Sequence, residues 1–273
     1  MNKPAGIVSY RAEGGRGGGA RGGHGRDTLL SALPSVLSPS NVHISDDDWP
    51  LKRPQPVHRL DRPTSGLVVV AKTKSAAVHL SQQFEFRRAQ KTYMAILNGY
   101  PHQPKDDDTT KDDWNVIDYD LDDSSGRNRS AITQWKVLRT AKSLHANNGT
   151  LTLVELKPKT GRYHQLRRHM AWVCKSPICG DSSYDEGSLR LRKRGLFLCS
   201  NEIMIEHPYY NSPIGRKEWD RVKKDAQNLA KEHLQEDEET GRVIVKVRIG
   251  LPSKFESFLR HEDERASKFS PTK

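Results

Sequence analysis

Asp61 stands in the run Pro56-Val57-His58-Arg59-Leu60-Asp61-Arg62-Pro63-Thr64-Ser65-Gly66. Arginines on either side favour the ionised carboxylate. Pro63 and Gly66 mark a tight turn, and the apolar run 67–71 behind it reads as a buried strand. A carboxylate held at the mouth of a strand suits nucleophilic chemistry. The same residues also describe a surface salt-bridge turn. Tyr93, in Lys91-Thr92-Tyr93, enters the next strand. There it suits stacking on a base or proton transfer through its hydroxyl, and equally half-buried packing. The third reactive segment is Lys159-Thr160-Gly161-Arg162-Tyr163-His164-Gln165-Leu166-Arg167-Arg168-His169-Met170. Here a turn opens a helix that carries polar groups into an apolar run. Arg167 and Met170, three apart, lie near one face. His164 and His169 are five apart with no acid between them, so a zinc motif of the HExxH kind fails on geometry.

The elements around these residues are predicted from periodicity and turn chemistry. Residues 27–37 suggest a short helix cut at Pro34, and 46–56, with three acids and three prolines, an irregular connection. Ser75 is placed to cap a helix with Ala77, Leu80 and Phe84 on one face. Strands are predicted at 92–97, 132–138, 151–156, 196–200, 203–206 and 243–249, with Asn147-Asn148-Gly149 turning one pair. Helices are predicted at 164–173 and 218–234, and a frayed charged tail at 261–273. Strands dominate without a βαβ rhythm, which argues for α+β with a mixed or antiparallel sheet. The expected organisation is one domain over 1–260, with insertions at 11–56 and 211–241.

Bulk properties narrow the partners. The net charge of +11 over 273 residues favours an anionic partner, nucleic acid above all. Residues 11–26 are glycine-rich, and Arg16, Arg21 and Arg26 among them resemble RGG segments that bind RNA; a plain loop insertion fits as well. The acids at 106–108 and 112–113 read as a solvated charge run. Three cysteines without a CxxC pair fit a reducing compartment inside the cell, whether cytoplasm, nucleus or organelle. No apolar run approaches the roughly 20 residues of a membrane span.

The motifs together resemble one family. HRLDRPTSGLVVVAKT at 58–73 is similar to the signature of the RluA-like RNA pseudouridine synthases. KPAG at 3–6 resembles the opening block, KTYMAILNG at 91–99 the K-x-Y block, TGRYHQLRRHMAWVCKSPICGDSSY at 160–184 the third block and LFLCSNEIMIEHP at 196–208 the closing strands. GLPSKFESFL at 250–259 is a weaker echo. The segment at 11–56 is longer and richer in glycine than usual, and Leu198-Cys199 stands where a Leu-His pair is common.

The resemblance implies a mainly antiparallel sheet flanked by helices, with a catalytic cleft in its middle. It implies isomerisation of uridine to pseudouridine in ribosomal or transfer RNA, with no metal or cofactor and a monomeric protein. Asp61 becomes the catalytic carboxylate, Tyr93 the residue against the target base, and Arg167 the partner of Asp61. Arg59, His58, Thr64, Arg162, His164 and Gln165 are the expected RNA contacts. The chemistry is that of a carboxylate meeting C1′ of a flipped nucleotide. The three reactive segments hold no acid besides Asp61, and an isomerase that keeps its leaving group does not need a second one.

Overall fold

A computed structural model describes residues 1–10, 28–37, 50–102, 114–186, 194–225 and 233–269. The RGG-like run, the acids at 46–48 and the acidic loop around 106–113 lie outside the described residues. The chain forms two compact units, Met1–Gln90 with Glu202–Arg248, and Lys91–Asn201 with Ile249–Lys273.

The first unit opens with strand β1 (Asn2–Lys3), helix α1 (Leu29–Val36), strands β2 (Pro50–Pro56), β3 (Ser65–Leu67) and β4 (Val70–Thr73), and helix α2 (Lys74–Glu85). Thr28 and Ser31 form a reciprocal capping box at the start of α1. Buried Leu29 and Leu33 hold this helix, which runs through Pro34 to Val36 instead of stopping at the proline. Residues 50–56 are extended rather than irregular: β2 pairs antiparallel with β4 across a register shift. That two-stranded setting tolerates the prolines of β2, which cannot donate to a ladder on both sides. The apolar run at 67–71 is split, because Leu67 ends β3, paired with β1, while Val70 begins β4, paired with β2. The cap of α2 is Thr73, not Ser75: Thr73 is extended and accepts from the Ala76 amide at 3.3 Å. Ser75 already sits inside the first turn, where its own hydroxyl is no longer at the orphan donors.

The second unit contains β5 (Gln90–Asn98) from Lys91 on, then β6 (Asn115–Asp118), β7 (Leu121–Asp122), β8 (Asn128–Arg129), β9 (Ile132–Lys142) and β10 (Thr150–Pro158). Its sheet runs β5-β10-β9-β6, antiparallel throughout. The β9–β10 hairpin turns where predicted, with Asn148 and Gly149 at φ 52° and 68°, the left-handed region that Asn and Gly enter most readily. A short helix α3 (Gln165–Arg168) passes into one π-helical turn at His169–Val173, so the helix expected at 164–173 is not regular α-helix. Strand β11 (Leu198–Glu206) is continuous where two strands are predicted, and the Phe197 carbonyl just before it accepts from the Ile96 amide at 3.1 Å.

Beyond β11 come helix α4 (Pro213–Asp225), β12 (Leu234–Glu236) and β13 (Val243–Arg248), and finally α5 (Ser253–Phe269). α4 starts five residues before the predicted helix. The far end of that prediction fails at His233, in a turn, and Leu234, which pairs with Val245 on β13. The expectation of a frayed tail from 261 is corrected too. α5 continues to Phe269 because Phe255, Phe258, Leu259, Glu262 and Ala266 recur at helical spacing and are buried. Phe255, Phe258 and Leu259 join Met94, Ile96, Leu151, Leu153 and Phe197 in the core of the second unit. Phe197 stacks on Phe258 at 4.4 Å and meets Phe255 edge-on at 5.3 Å. The α+β class, with a mixed, mostly antiparallel sheet flanked by helices, stands as predicted.

Candidate active site

Asp61 lies half-buried on a loop of the first unit whose shape is set by short hydrogen bonds. The Thr64 amide donates to the Asp61 carbonyl at 3.1 Å and closes the turn. Ser9 clamps the residue before it: its hydroxyl donates to the Leu60 carbonyl and accepts from the Leu60 amide, both at 3.1 Å. Lys3 is fully buried beneath this loop. Its ammonium donates to the carbonyls of Pro4 at 3.0 Å, Ile7 at 2.9 Å and Arg62 at 3.5 Å. Burial pulls the Lys3 pKa down to about 8, and the charge of Asp61 works against that fall. The Gly6 amide donates to the Arg62 carbonyl at 2.8 Å, and Arg62 Nε returns a bond to the Gly6 carbonyl at 3.1 Å. The KPAG turn and the HRLD loop are thereby one hydrogen-bonded object.

The other expected residues of this loop divide by exposure. His58 accepts from the Val69 amide at 2.9 Å through Nε2 and stacks on Phe84 at 4.3 Å. Arg59 is exposed, its guanidinium 5.6 Å from the Tyr10 ring. Thr64 is buried, and its Oγ1 has no hydrogen-bond partner among the described residues.

In the second unit Tyr93 sits near the start of β5, almost fully buried, opposite Leu156 of β10. Arg167 is held rigidly. Its Nε and one terminal nitrogen grip both oxygens of Asp181 at 2.6 and 2.7 Å, the latter nitrogen also reaching Ser183 Oγ at 3.1 Å. A buried, bidentate pair of this kind fixes a guanidinium in orientation as well as charge. Nη1 donates to His164 Nε2 at 2.7 Å. Arginine can only donate, so His164 carries its proton on Nδ1, 3.0 Å from the Tyr184 hydroxyl. His164 occupies the left-handed region at φ 52°, a costly conformation for a non-glycine residue. Gln165 stabilises the turn: its amide spans Thr160, the Arg162 amide, the Ile132 carbonyl and Thr133. Arg162 Nε donates to the Ser130 carbonyl at 2.9 Å.

The structure thus gathers His58, Arg59, Asp61 and Thr64 in one unit, and Tyr93, Arg162, His164, Gln165 and Arg167 in the other. Two residues with no role in the sequence reading stand out. Lys3 sits in the KPAG block, but nothing in sequence tells a buried lysine from an exposed one. Asp181 falls in the GDSSY end of the third block, yet its pairing with Arg167 spans 14 residues and is a tertiary fact. Gly180, at φ 75°, is required beside it, since a Cβ there would lie 2.1 Å from the Gly195 carbonyl oxygen. Among the described residues no three His, Cys, Asp or Glu side chains gather as metal ligands. Among them, too, no helix is long and apolar enough to cross a membrane.

A family model described as RNA pseudouridylate synthase matches residues 1–172. The chain belongs to the RluA-like RNA pseudouridylate synthase family. A protein named tRNA pseudouridine synthase C from Salmonella typhimurium is 36% identical over 231 residues, 78% of each chain. Another of that name, from Pectobacterium carotovorum, is 36% identical over 189 residues, covering 60% of this chain. A ribosomal large subunit pseudouridine synthase D from Borreliella burgdorferi is 32% identical over 209 residues, covering 76% of this chain. The chain spans 46% of the Pectobacterium protein's length and 57% of the Borreliella protein's. The solved structure of human RNA pseudouridylate synthase domain containing 4 shares the fold. It has a TM-score of 0.52 and 21% identity over 81% of this chain and 88% of that one.

Proposed function

We propose that this chain is an isomerase that converts uridine to pseudouridine in a transfer or ribosomal RNA. The observation that carries the reading is the family match over residues 1–172, which contains Asp61, Tyr93 and Arg167 intact. The target uridine leaves its stack so that a side chain can reach C1′. Asp61 then attacks C1′ or abstracts a ribose proton, and the N1–C1′ bond breaks. The freed uracil turns and rejoins through C5, and Tyr93 takes part in removal of the C5 proton. Arg167, oriented by Asp181, keeps Asp61 ionised and aimed. Arg59, His58, Thr64, Arg162 and His164 hold the RNA, and Gln165, expected to join them, instead braces the turn that carries Arg162 and His164. The hydrogen bonds that fix the Asp61 loop through Lys3 and Ser9 support this role, since a nucleophile must be held to well under an ångström. Three buried cysteines, none of them in a disulfide, support a reducing compartment. We place the active form as a monomer inside the cell.

The test is pseudouridine mapping in transfer and ribosomal RNA incubated with the purified chain, beside Asp61→Asn. Pseudouridine made by the wild type and none by the variant, with unchanged circular dichroism, is expected. A fully active Asp61→Asn protein would overturn the mechanism.

A further inference from the structure

Next to the Arg167 anchor four aromatic rings form one continuous run. Tyr163 stacks on the His164 imidazole, centroids 3.8 Å apart and planes 19° off parallel. His164 meets Tyr184 edge-on at 5.7 Å, and Tyr184 meets Trp172 edge-on at 5.8 Å. The guanidinium of Arg167 lies 5.2 Å from the Tyr184 ring and that of Arg168 lies 4.7 Å from the Trp172 ring. The two ends of the run face solvent: Tyr163 is 67% exposed and Trp172 44%. Every residue from Gln165 to Met170 between them is buried.

The backbone is arranged to produce this exposure. His164 takes the left-handed conformation, which sets the direction in which the chain leaves Tyr163. Downstream, the π-helical turn closes with the Cys174 amide on the His169 carbonyl at 3.2 Å. Met170 and Cys174 stay in the core while Trp172 is turned outward. A left-handed non-glycine residue and a π-turn both cost energy and recur at functional sites. Core packing accounts for Leu166 and Met170, but not for two large exposed rings tied together through their neighbours.

We propose that Tyr163 and Trp172 form a stacking platform for unpaired nucleobases of the RNA. This rests on the reading of the chain as a uridine-modifying enzyme. Exposed rings held at fixed orientation bind the faces of splayed bases with little sequence preference, because every base has a π-face. Arg168 beside the Trp172 ring and the net charge of +11 favour RNA over an apolar protein partner.

The test uses the full chain with a short, unpaired, fluorescein-labelled RNA and the same sequence as a duplex, whose base faces are covered. Tyr163→Ala and Trp172→Ala should each weaken binding of the unpaired RNA by about 5- to 100-fold, whereas Tyr163→Phe and Trp172→Phe should stay within about threefold. Duplex binding should change little in all four, and kcat at saturating RNA should be preserved while KM rises with the alanine changes. Quenching of tryptophan fluorescence by the unpaired RNA should shrink in Trp172→Phe. Alanine variants that bind unpaired RNA like the wild type overturn the platform, as would a face reserved for a protein partner. Equal losses for duplex and unpaired RNA, or failure of the phenylalanine variants, overturn it as well by assigning the rings a structural role. A wild type that makes no pseudouridine in any RNA refutes the enzymatic reading alone and leaves the binding result to decide the platform.

Discussion

At the scale of single residues, two buried charges, Lys3 and Asp181, hold the segments that carry candidate site residues. Lys3 has no solvent exposure, and its pKa of about 8 lies below the 10.5 of a free lysine. Between those values the unfolded chain holds a proton that the folded chain has shed. Stability therefore rises with pH across that window and is penalised below it. Lys3→Met should remove this rise, so the difference in unfolding free energy between wild type and variant should change slope between about pH 8 and 10.5. Urea melts at a series of pH values read this directly. The same variant loses the hydrogen bonds to the Pro4, Ile7 and Arg62 carbonyls that tie the N-terminal turn to the Asp61 loop, so turnover should fall as well. Asp181→Asn leaves a buried arginine without its carboxylate. Removing one partner of a buried pair costs about 3–5 kcal/mol, which chemical denaturation would reveal, and activity should drop with the loss of Arg167's orientation.

At the scale of elements, burial decides where helices end. α5 is rich in charge, yet its apolar residues recur on one stripe and complete the core of the second unit. On its polar side Glu256 pairs with Arg139, and Asp263 accepts from the Lys142 amide at 2.9 Å. Phe255→Ala should cost about 3–5 kcal/mol, the usual range for truncating a buried aromatic, measured as a shift in the urea midpoint. Strands were read better than caps or ends. The β9–β10 pair and β13 follow from local alternation and a turn sequence that few other conformations satisfy. The choice of Thr73 over Ser75 turned on the backbone angle at the cap, which neither side chain announces.

At the scale of the whole molecule, the chain changes unit inside or at the ends of strands rather than in linkers. The boundaries fall at Gln90/Lys91 in β5, Asn201/Glu202 in β11 and Arg248/Ile249 just after β13. Composition gives no sign of such crossings, because a strand looks the same on both sides of one. A single domain over 1–260 was therefore the natural expectation, and the two units are a property of contacts alone. The net charge of +11 marks a partner class, not a place.

By itself the sequence determined the family and the α+β class, and it singled out Asp61, Tyr93 and Arg167 as the candidates for the chemistry. These rest on residue types at short spacing, which the chain carries wherever it folds. Only the tertiary structure decided that Lys3 is buried under the Asp61 loop and that Asp181 grips Arg167. It alone showed that Gln165 is occupied in its own turn and that Tyr163 and Trp172 are joined through His164 and Tyr184. Each of these depends on which polar groups lose water and which rings keep it. Burial is settled by packing between segments distant in sequence, and no local pattern encodes it.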